Sequence, residues 1–342
     1  MGKTTGTAAR YILPAQNEDR EIVRRPEGPN IKEQMRAIAF AAKQRADVLV
    51  CECMAVNPRY QEVHQEQIFL ANMTVLVNVL ADHLDDMGPT TDEVAKALAT
   101  TIPRGGHLIV AEDYYTYYFK RLAERQGTRV FVADSSAVPD GYVDRFDFVM
   151  FPESVALGLA VAEALDIDRD TALRGMLKTI PDPGALRISP LSGSGWNQSF
   201  FVNAFAANEP ATSLKIWHML REMDHLPQEN PIVVFNGRPD RIDRTRQFIA
   251  DFFPNIEADK LTLLAIGQNI RPLRNAMKKG AFPGISDYVH LENAPLDRVV
   301  NKLLSIADNS VIVGLGNIHG DAEDLVDVLN TYCQKTMSEA AA

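Results

Sequence analysis

Cysteine is scarce in this sequence, which has only Cys51, Cys53 and Cys333 in 342 residues. Three thiols cannot build the disulfide framework of a small secreted domain, so a reducing cytoplasm is the expected compartment. No run of about 18 apolar residues occurs, and the sequence therefore predicts no membrane-spanning helix. The opening segment MGKTTGTAAR has no apolar stretch, which excludes a secretory signal there.

Positive charge is also in deficit, with 35 Lys and Arg against 45 Asp and Glu and a net charge of −10. An acidic chain repels nucleic acids and anionic membranes at long range, so we expect no nucleic-acid partner. The apolar fraction of 46% and charged fraction of 23% are typical of globular proteins and exclude a disordered or fibrous chain. A length of 342 residues predicts two domains rather than one core.

Apolar runs alternate with amphipathic segments along the first half of the chain. Runs that do not alternate residue by residue are typical of parallel strands buried on both faces, so this half predicts a doubly wound α/β domain. The predicted strands are Asp47–Cys51, Thr74–Leu80, His107–Ala111, Arg129–Ala133 and Phe146–Phe151. The predicted helices are 31–45, 60–72, 91–100, 114–126 and 154–166.

The segment Ile180-Pro181-Asp182-Pro183-Gly184 predicts a hinge, because each proline disfavours helix at the residue before it. A second α/β series follows, and the domain boundaries are placed at 1–182 and 183–342. Its predicted strands are Phe200–Ala204, Pro231–Phe235, Leu261–Ile266 and Ser310–Gly314. Its predicted helices are 211–223, 241–253, 295–307 and 321–334.

Two segments near the N-terminus could carry chemistry. Gly2-Lys3-Thr4-Thr5-Gly6-Thr7 resembles the end of a phosphate-binding loop, although by itself the segment favours a flexible terminus. Cys51-Glu52-Cys53 follows a predicted strand, where parallel sheets place ligands. No second cysteine pair follows at zinc-site spacing, so we expect buried reduced thiols, and Glu52 is the candidate functional residue.

A third segment, Asn78 to Asp85, combines an imidazole with short oxygen acceptors after the next predicted strand. Asp82 and His83 could hold Mg²⁺ or Mn²⁺, or they could merely cap the following helix. Spacing alone leaves the two interpretations even.

Two further segments lie in the second half. Arg238, Arg241 and Arg244 suit carboxylates or phosphates, although a solvated helix start with Asp–Arg pairs is the simpler interpretation. Gly314-Leu315-Gly316-Asn317-Ile318-His319-Gly320 resembles a dinucleotide loop with its third glycine one position late, which gives weak support to a nicotinamide dehydrogenase.

Taken in order, eight segments resemble the ligase subunit of poly-γ-glutamate synthase, the PgsB/CapB family, which is related to the Mur ligases and to folylpolyglutamate synthetase. The resemblance covers essentially the whole chain. The segments are GKTTGTAAR, RRPEGPNIKEQ, CECMAVNP, VNVLADHLDDMGPT, IPDPGALRI, FVNAFAANEPATS, GRPDRIDRTRQF and GLGNIHGDAE.

This resemblance implies a Mur-type central ATPase domain and a Rossmann-like C-terminal domain. It implies an ATP-dependent amide ligase that phosphorylates a glutamate carboxylate and joins it to the amine of the next glutamate, with Mg²⁺ or Mn²⁺. The implied metal ligands are Glu52 and His83, and Asp82 is implied as catalytic support. The implied nucleotide-binding residues are Thr5, Thr7, Arg187, Asn203 and Asn208, and the three arginines are candidates for the substrate carboxylates.

The family's first strand and P-loop lie upstream of GKTTGT and are absent from this sequence, so we expect low activity from the chain alone. The alternative is a non-catalytic assembly subunit. Implied partners are glutamate or poly-γ-glutamate, membrane-embedded synthase subunits, and a full-length ligase subunit or a second copy. The expected location is cytoplasmic, at the inner face of the membrane through those subunits.

Overall fold

The computed structural model divides into two compact units, Met1–Asp182 and Pro183–Ala342. Each unit has its own sheets and its own buried core. The residues that the structure describes are 1–4, 10–13, 18–21, 31–81, 83–179, 181, 185–193, 195–196, 198–207 and 209–333.

Unit 1 contains two sheets. The four-stranded sheet has the order β3-β2-β1-β4, in which β1 pairs antiparallel with β2 and parallel with β4. The three-stranded sheet β5-β6-β7 is parallel throughout. The strands are β1 Gly2–Thr4, β2 Arg10–Leu13, β3 Glu18–Glu21, β4 Val50–Cys51, β5 Met73–Leu76, β6 Gly106–Ala111 and β7 Thr128–Ala133.

Seven helices accompany these strands in the described part of unit 1. The second begins at Asn57, whose side chain accepts a hydrogen bond from the Arg59 N–H, and Pro58 occupies its first turn, where a missing N–H costs nothing. The helices are α1 Lys32–Lys43, α2 Pro58–Val63 with a π-helical turn over His64–Phe69, α3 Leu84–Met87, α4 Thr91–Ala99, α5 Thr116–Arg125, α6 Pro152–Ala164 and α7 Arg169–Met176.

The predicted strand at Phe146–Phe151 is wrong. Residues 146–151 form no strand, because Pro152 opens α6 directly after them and the preceding Val143–Arg145 is a 3-10 turn. Phe146 instead packs edge-on against Tyr142 and Phe148. Phe146 and Met150 of this segment therefore pack against a local cluster that contains Tyr142, and not in a sheet.

Unit 2 is built on one six-stranded sheet of order β12-β11-β10-β13-β9-β8, parallel except for the antiparallel β8 at one edge. The strands are β8 Arg187–Pro190, β9 Phe200–Asn203, β10 Ile232–Gly237, β11 Thr262–Gly267, β12 Asp287–Glu292 and β13 Val311–Gly316. The helices are α8 Pro210–Arg221, α9 Ile242–Gln247, α10 Arg271–Lys278, α11 Leu296–Ile306 and α12 Asp321–Tyr332.

The central strands β10 and β13 are buried at every residue, which explains their unbroken apolar sequences. Their carboxyl ends, together with that of β9, lie at one edge of the sheet because the three strands are parallel neighbours. The expected α/β class with parallel-rich sheets is confirmed. That shared edge carries most of the candidate functional residues of this unit.

Candidate functional site

Four of the predicted site residues, Thr5, Thr7, Asp82 and Asn208, lie outside the described residues. The first segment can still be judged from Gly2 to Thr4. These residues form strand β1, and the Lys3 side chain is fully buried with its Nζ 3.7 Å from Glu33 Oε2. Lys3 therefore lies inside a strand with its ammonium group close to Glu33, whereas the phosphate-binding role expected of this segment at Thr5 and Thr7 stays a prediction.

Glu52 follows β4 directly and its backbone is held on both sides. The Glu52 N–H donates to Lys3 O at 3.0 Å, and Gln34 Nε2 donates to Glu52 O at 2.9 Å. Gln34 is fully buried and also accepts a hydrogen bond from Cys51 Sγ at 2.6 Å. The exposed side chain of Glu52 therefore projects from a fixed backbone at the end of a strand.

His83 begins α3 in a left-handed backbone conformation, with φ of 50°, and is half-buried. Non-glycine residues seldom adopt this conformation, which frequently marks functional turns. Glu52 and His83 follow strands of two separately hydrogen-bonded sheets. Across the described stretches no three His, Cys, Asp or Glu side chains gather as a metal-binding group.

All three thiols are free, as expected, but they are less buried than expected. Cys51 and Cys333 are half-buried, whereas Cys53 is exposed because it lies in the irregular segment after β4. Burial raises the pKa of the Cys51 thiol to about 12, so it is protonated at physiological pH. Buried His64, which sequence reasoning missed, lies 3.9 Å from Cys53 Sγ, and burial lowers the pKa of His64.

Arg187 and Asn203 are brought together by the sheet. They are directly opposite partners in the antiparallel β8–β9 pair, an arrangement that places both side chains on the same face. Asn203 Oδ1 is buried and has no hydrogen-bond partner among the described residues. A buried acceptor without a partner beside a guanidinium is compatible with a polar ligand such as a nucleotide.

The three candidate substrate arginines have different surroundings. Arg238 forms a bidentate pair with Asp240, at 3.0 and 2.7 Å. Arg244 is buried and its Nη1 donates to Asn317 Oδ1. The half-buried Arg241 side chain makes no hydrogen bond or ion pair within the described ranges, which leaves it available to a ligand.

Asn236 and Asn317 were not identified from the sequence. Both side chains are buried at the carboxyl ends of β10 and β13, where their amides bond to each other's backbone. A signal was present, since each asparagine lies at or just beyond the end of an otherwise apolar strand sequence. Because parallel neighbouring strands end at the same edge, the two asparagines could have been predicted to meet.

The glycine-rich segment 314–320 differs from a dinucleotide loop. Gly314 lies inside β13, and a Cβ there would come within 2.2 Å of the Phe205 ring. Its glycine is therefore required for packing, not for the approach of a cofactor. Gly320 has a φ of 84° and immediately precedes α12, where the Glu323 side chain accepts from its N–H at 3.3 Å.

The sequence of this chain is similar to those of known proteins. Residues 188–332 match the family model described as the poly-gamma-glutamate synthase CapB C-terminal domain. The chain is 46% identical over 329 residues to the capsule biosynthesis protein CapB of Bacillus anthracis, covering 96% of this chain and 70% of that protein. It is 44% identical over 338 residues to the PGA synthase CapB of Bacillus subtilis, covering 98% and 84%.

A solved structure shows the same fold at low identity. The bifunctional folylpolyglutamate synthase/dihydrofolate synthase of Yersinia pestis, complexed with AMPPNP and a Mn ion, has a TM-score of 0.59 and 13% identity. The match covers 85% of this chain and 69% of that one. The match confirms the expected fold, in which both units are of the α/β class with parallel-rich sheets.

Proposed function

Because the chain belongs to the poly-γ-glutamate synthase CapB family, we propose that it is an ATP-dependent ligase that joins glutamate units through amide bonds. The observation that carries this proposal is that the similarity to two CapB proteins extends over nearly the whole chain. The fold shared with a synthase that was solved with a nucleotide analogue and Mn supports ATP and a divalent cation as cofactors.

The proposed reaction has two steps. A glutamate γ-carboxylate oxygen attacks the γ-phosphorus of ATP, the bond to the β–γ bridging oxygen breaks, and ADP leaves. The deprotonated amine of the next glutamate then attacks the acyl carbon, and inorganic phosphate leaves as the amide forms. A divalent cation, when bound, offsets the phosphate charge, so the residues of the chain must mainly position the two substrates.

For the nucleotide, we propose Arg187 and Asn203, supported by their cross-strand pairing and the buried Asn203 Oδ1. Thr5, Thr7 and Asn208 are proposed for the same role on the family resemblance alone. A guanidinium beside a neutral amide suits a phosphate or ribose oxygen, since the first supplies charge and the second supplies both a donor and an acceptor.

For the cation, we propose Glu52 and His83 as ligands, with Asp82 as catalytic support. The fixed backbone of Glu52 supports this role, because a preorganised carboxylate loses less freedom on binding. Both Mg²⁺ and Mn²⁺ bind carboxylates, but Mn²⁺ accepts nitrogen ligands more readily. A carboxylate together with an imidazole therefore favours Mn²⁺.

For the growing chain, we propose recognition of glutamate carboxylates by the arginine segment, with Arg241 as the direct contact. Arg241 is the member whose guanidinium has no partner in the described part of the chain, whereas Arg238 is paired with Asp240. An arginine fork binds a carboxylate through two parallel hydrogen bonds, which fixes its orientation as well as its charge.

We also propose that the ligase acts with membrane-embedded synthase subunits, and with a full-length ligase subunit or second copy, at the cytoplasmic face of the membrane. Among the described helices, none is long and apolar enough to cross a bilayer. The net charge of −10 supports the absence of a nucleic-acid partner.

The test is a ligation assay with ATP, Mg²⁺ or Mn²⁺, and D- or L-glutamate with short γ-glutamyl acceptors. The purified chain is assayed alone and with membranes that carry the remaining synthase subunits. We expect ADP release and an acceptor longer by one glutamate, both abolished when the cation is chelated. Arg241→Gln should lower product formation, with Arg246→Gln on the exposed side of α9 as the matched control.

Absence of nucleotide binding together with absence of product in both settings would contradict the ligase proposal and favour the non-catalytic assembly subunit. Binding of NAD(H) instead of ATP would favour the dehydrogenase. Product formation that does not depend on ATP would contradict the acyl-phosphate route while leaving an amide-forming enzyme.

A further inference from the structure

A buried polar network joins the carboxyl ends of β10 and β13 in unit 2. Asn236 Nδ2 donates to Asn317 O at 2.7 Å and to His319 O at 3.0 Å, and Asn317 Nδ2 donates back to Asn236 O at 3.0 Å. Asn236 is fully buried and Asn317 is 1% exposed. These reciprocal bonds hold the segment after β13 against the end of its neighbouring strand.

Arg244 connects this network to α9. Arg244 is only 8% exposed, and its Nη1 donates to Asn317 Oδ1. This oxygen belongs to the side-chain amide whose Nδ2 donates to Asn236 O. Removing that acceptor would leave a buried guanidinium donor without its bond, which is costly in a low-dielectric interior. The contact therefore fixes the first turn of α9 relative to the sheet.

Arg241 directly precedes α9 and has a non-helical backbone conformation, with φ of −136° and ψ of 43°. Its carbonyl accepts from the Thr245 N–H at 3.4 Å, and this bond ties Arg241 to the first turn of the helix. Thr245 is fully buried, so this backbone bond lies in the part of α9 that packs inward. Anchoring Arg244 thus also fixes the backbone position from which the Arg241 side chain extends.

We infer that Arg244, Asn317 and Asn236 are positioning residues that hold Arg241 at the sheet edge, and that Arg244 does not itself contact the substrate. The inference rests on the proposed function for the role of Arg241 as a carboxylate ligand. The two arginines then have different roles, since Arg241 binds the carboxylate and Arg244 fixes the place from which Arg241 binds it.

Asn317 is the residue to change, because its side chain bonds both Arg244 and Asn236. Asn317→Ala removes both the acceptor for Arg244 and the donor to Asn236, whereas Asn317→Asp loses the same donor but keeps an oxygen aimed at Arg244 in a side chain of nearly equal size. An aspartate would neutralise the Arg244 charge while strengthening its hydrogen bond. Because both variants lack the donor to Asn236, the difference between them reports only on the contact with Arg244 and on the Arg244 charge.

The first measurement is the dissociation constant for glutamate, from chemical-shift titration of the whole chain with the Arg Nε–H signals assigned. Adding glutamate should shift the Arg241 signal far more than that of Arg244. Arg241→Gln should weaken binding by about tenfold or more, as expected for a lost charged hydrogen bond. Asn317→Ala should weaken it by several-fold, and Asn317→Asp by clearly less than Asn317→Ala.

The matched control is Asn301→Asp, which makes the same change at an exposed position of α11. It shows the effect of one added negative charge in the same unit away from the network. If Asn317→Asp weakens glutamate binding as strongly as Arg241→Gln, the charge of Arg244 acts on the substrate and the inference is overturned. Unchanged affinity in Asn317→Ala would overturn it as well.

A second measurement does not depend on glutamate. Amide hydrogen exchange of Thr245 should become faster in Asn317→Ala than in the unchanged chain, while Asn317→Asp should retain protection. Equal protection in Asn317→Ala would overturn the positioning role whatever the substrate. If exchange responds as expected but Arg241→Gln leaves glutamate affinity unchanged, the fault lies with the proposed function and not with the network.

Discussion

At the scale of single residues, surroundings separate side chains that the sequence presents as equivalent. Arg238, Arg241 and Arg244 lie in one short segment, yet Asp240 pairs with the first, Asn317 holds the last, and the middle one makes no such contact in the described ranges. Burial likewise distinguishes Lys3 from a lysine that is exposed to solvent. The chemistry available to a side chain is thus decided by its neighbours.

The Cys51 thiol should be unreactive. Because burial raises its pKa to about 12, its thiolate fraction at pH 8 is lower than that of an ordinary thiol by roughly three orders of magnitude. We expect its alkylation by iodoacetamide to be slow and to rise about tenfold per pH unit up to pH 11. Peptide mass spectrometry of the Cys53→Ser variant measures this rate.

The same variant unfolded in urea is the control, since its Cys51 should react like a free thiol. A rate at pH 8 that matches the unfolded control would show that Cys51 is accessible as a thiolate, contrary to its hydrogen bond to Gln34.

Binding of Mn²⁺ should depend on His83. If His83 and Glu52 share a cation, His83→Ala removes one protein ligand and should weaken Mn²⁺ binding by about tenfold or more. Electron paramagnetic resonance of free Mn²⁺ measures the affinity, and circular dichroism checks that the chain stays folded. His225→Ala, at an exposed position of unit 2, is the matched control. Equal affinities in the two variants would remove His83 from the proposed site.

At the scale of helices and strands, the apolar pattern locates the buried parallel strands well and the short edge strands poorly. The predictions for β6, β7, β9, β10, β11 and β13 are confirmed. Strand β12 was missed because its sequence DYVHLE mixes polar and apolar residues, as suits the last strand of a sheet. Strands β1, β2, β3 and β8 have only three or four residues each, which is too short for a periodic signal.

Gly314→Ala should destabilise the central strand of unit 2. The new methyl group would overlap the ring of Phe205, which is fully buried. Overpacking of this kind costs about 1 to 3 kcal/mol of unfolding free energy, which urea denaturation measures. Phe205→Leu in the same chain should recover part of the loss by vacating the space.

Gly175→Ala is the matched control, because no atom lies within 4 Å of the added methyl and the position is helical. It should be neutral or stabilising, by up to about 1 kcal/mol. If Gly314→Ala were as well tolerated as Gly175→Ala, Phe205 would not be packed against β13 as the structure has it.

At the scale of the whole molecule, the two units have separate cores. The main buried cluster of unit 2 draws only on residues between Leu191 and Leu329, and the clusters of unit 1 draw only on residues before Asp182. Stability that comes from burial is therefore supplied within each unit.

We expect residues 183–342 to fold when expressed alone. Among the described strands, each one that pairs in their six-stranded sheet belongs to this unit. The fragment should show dispersed amide signals and one cooperative unfolding transition, with a stability of about 5 to 15 kcal/mol. Collapsed amide dispersion or a transition without cooperativity would show that unit 2 needs unit 1 to fold.

The sequence by itself determined the α/β class and the places where buried parallel strands end, because burial on both faces demands unbroken apolar runs. It also determined the family, since eight ordered segments carry that resemblance along the whole chain. Only the tertiary structure decided that Arg187 faces Asn203, that Lys3 is buried, and that Asn236 and Asn317 hold Arg244. Those outcomes depend on strand register and side-chain burial between distant segments, which no local pattern encodes.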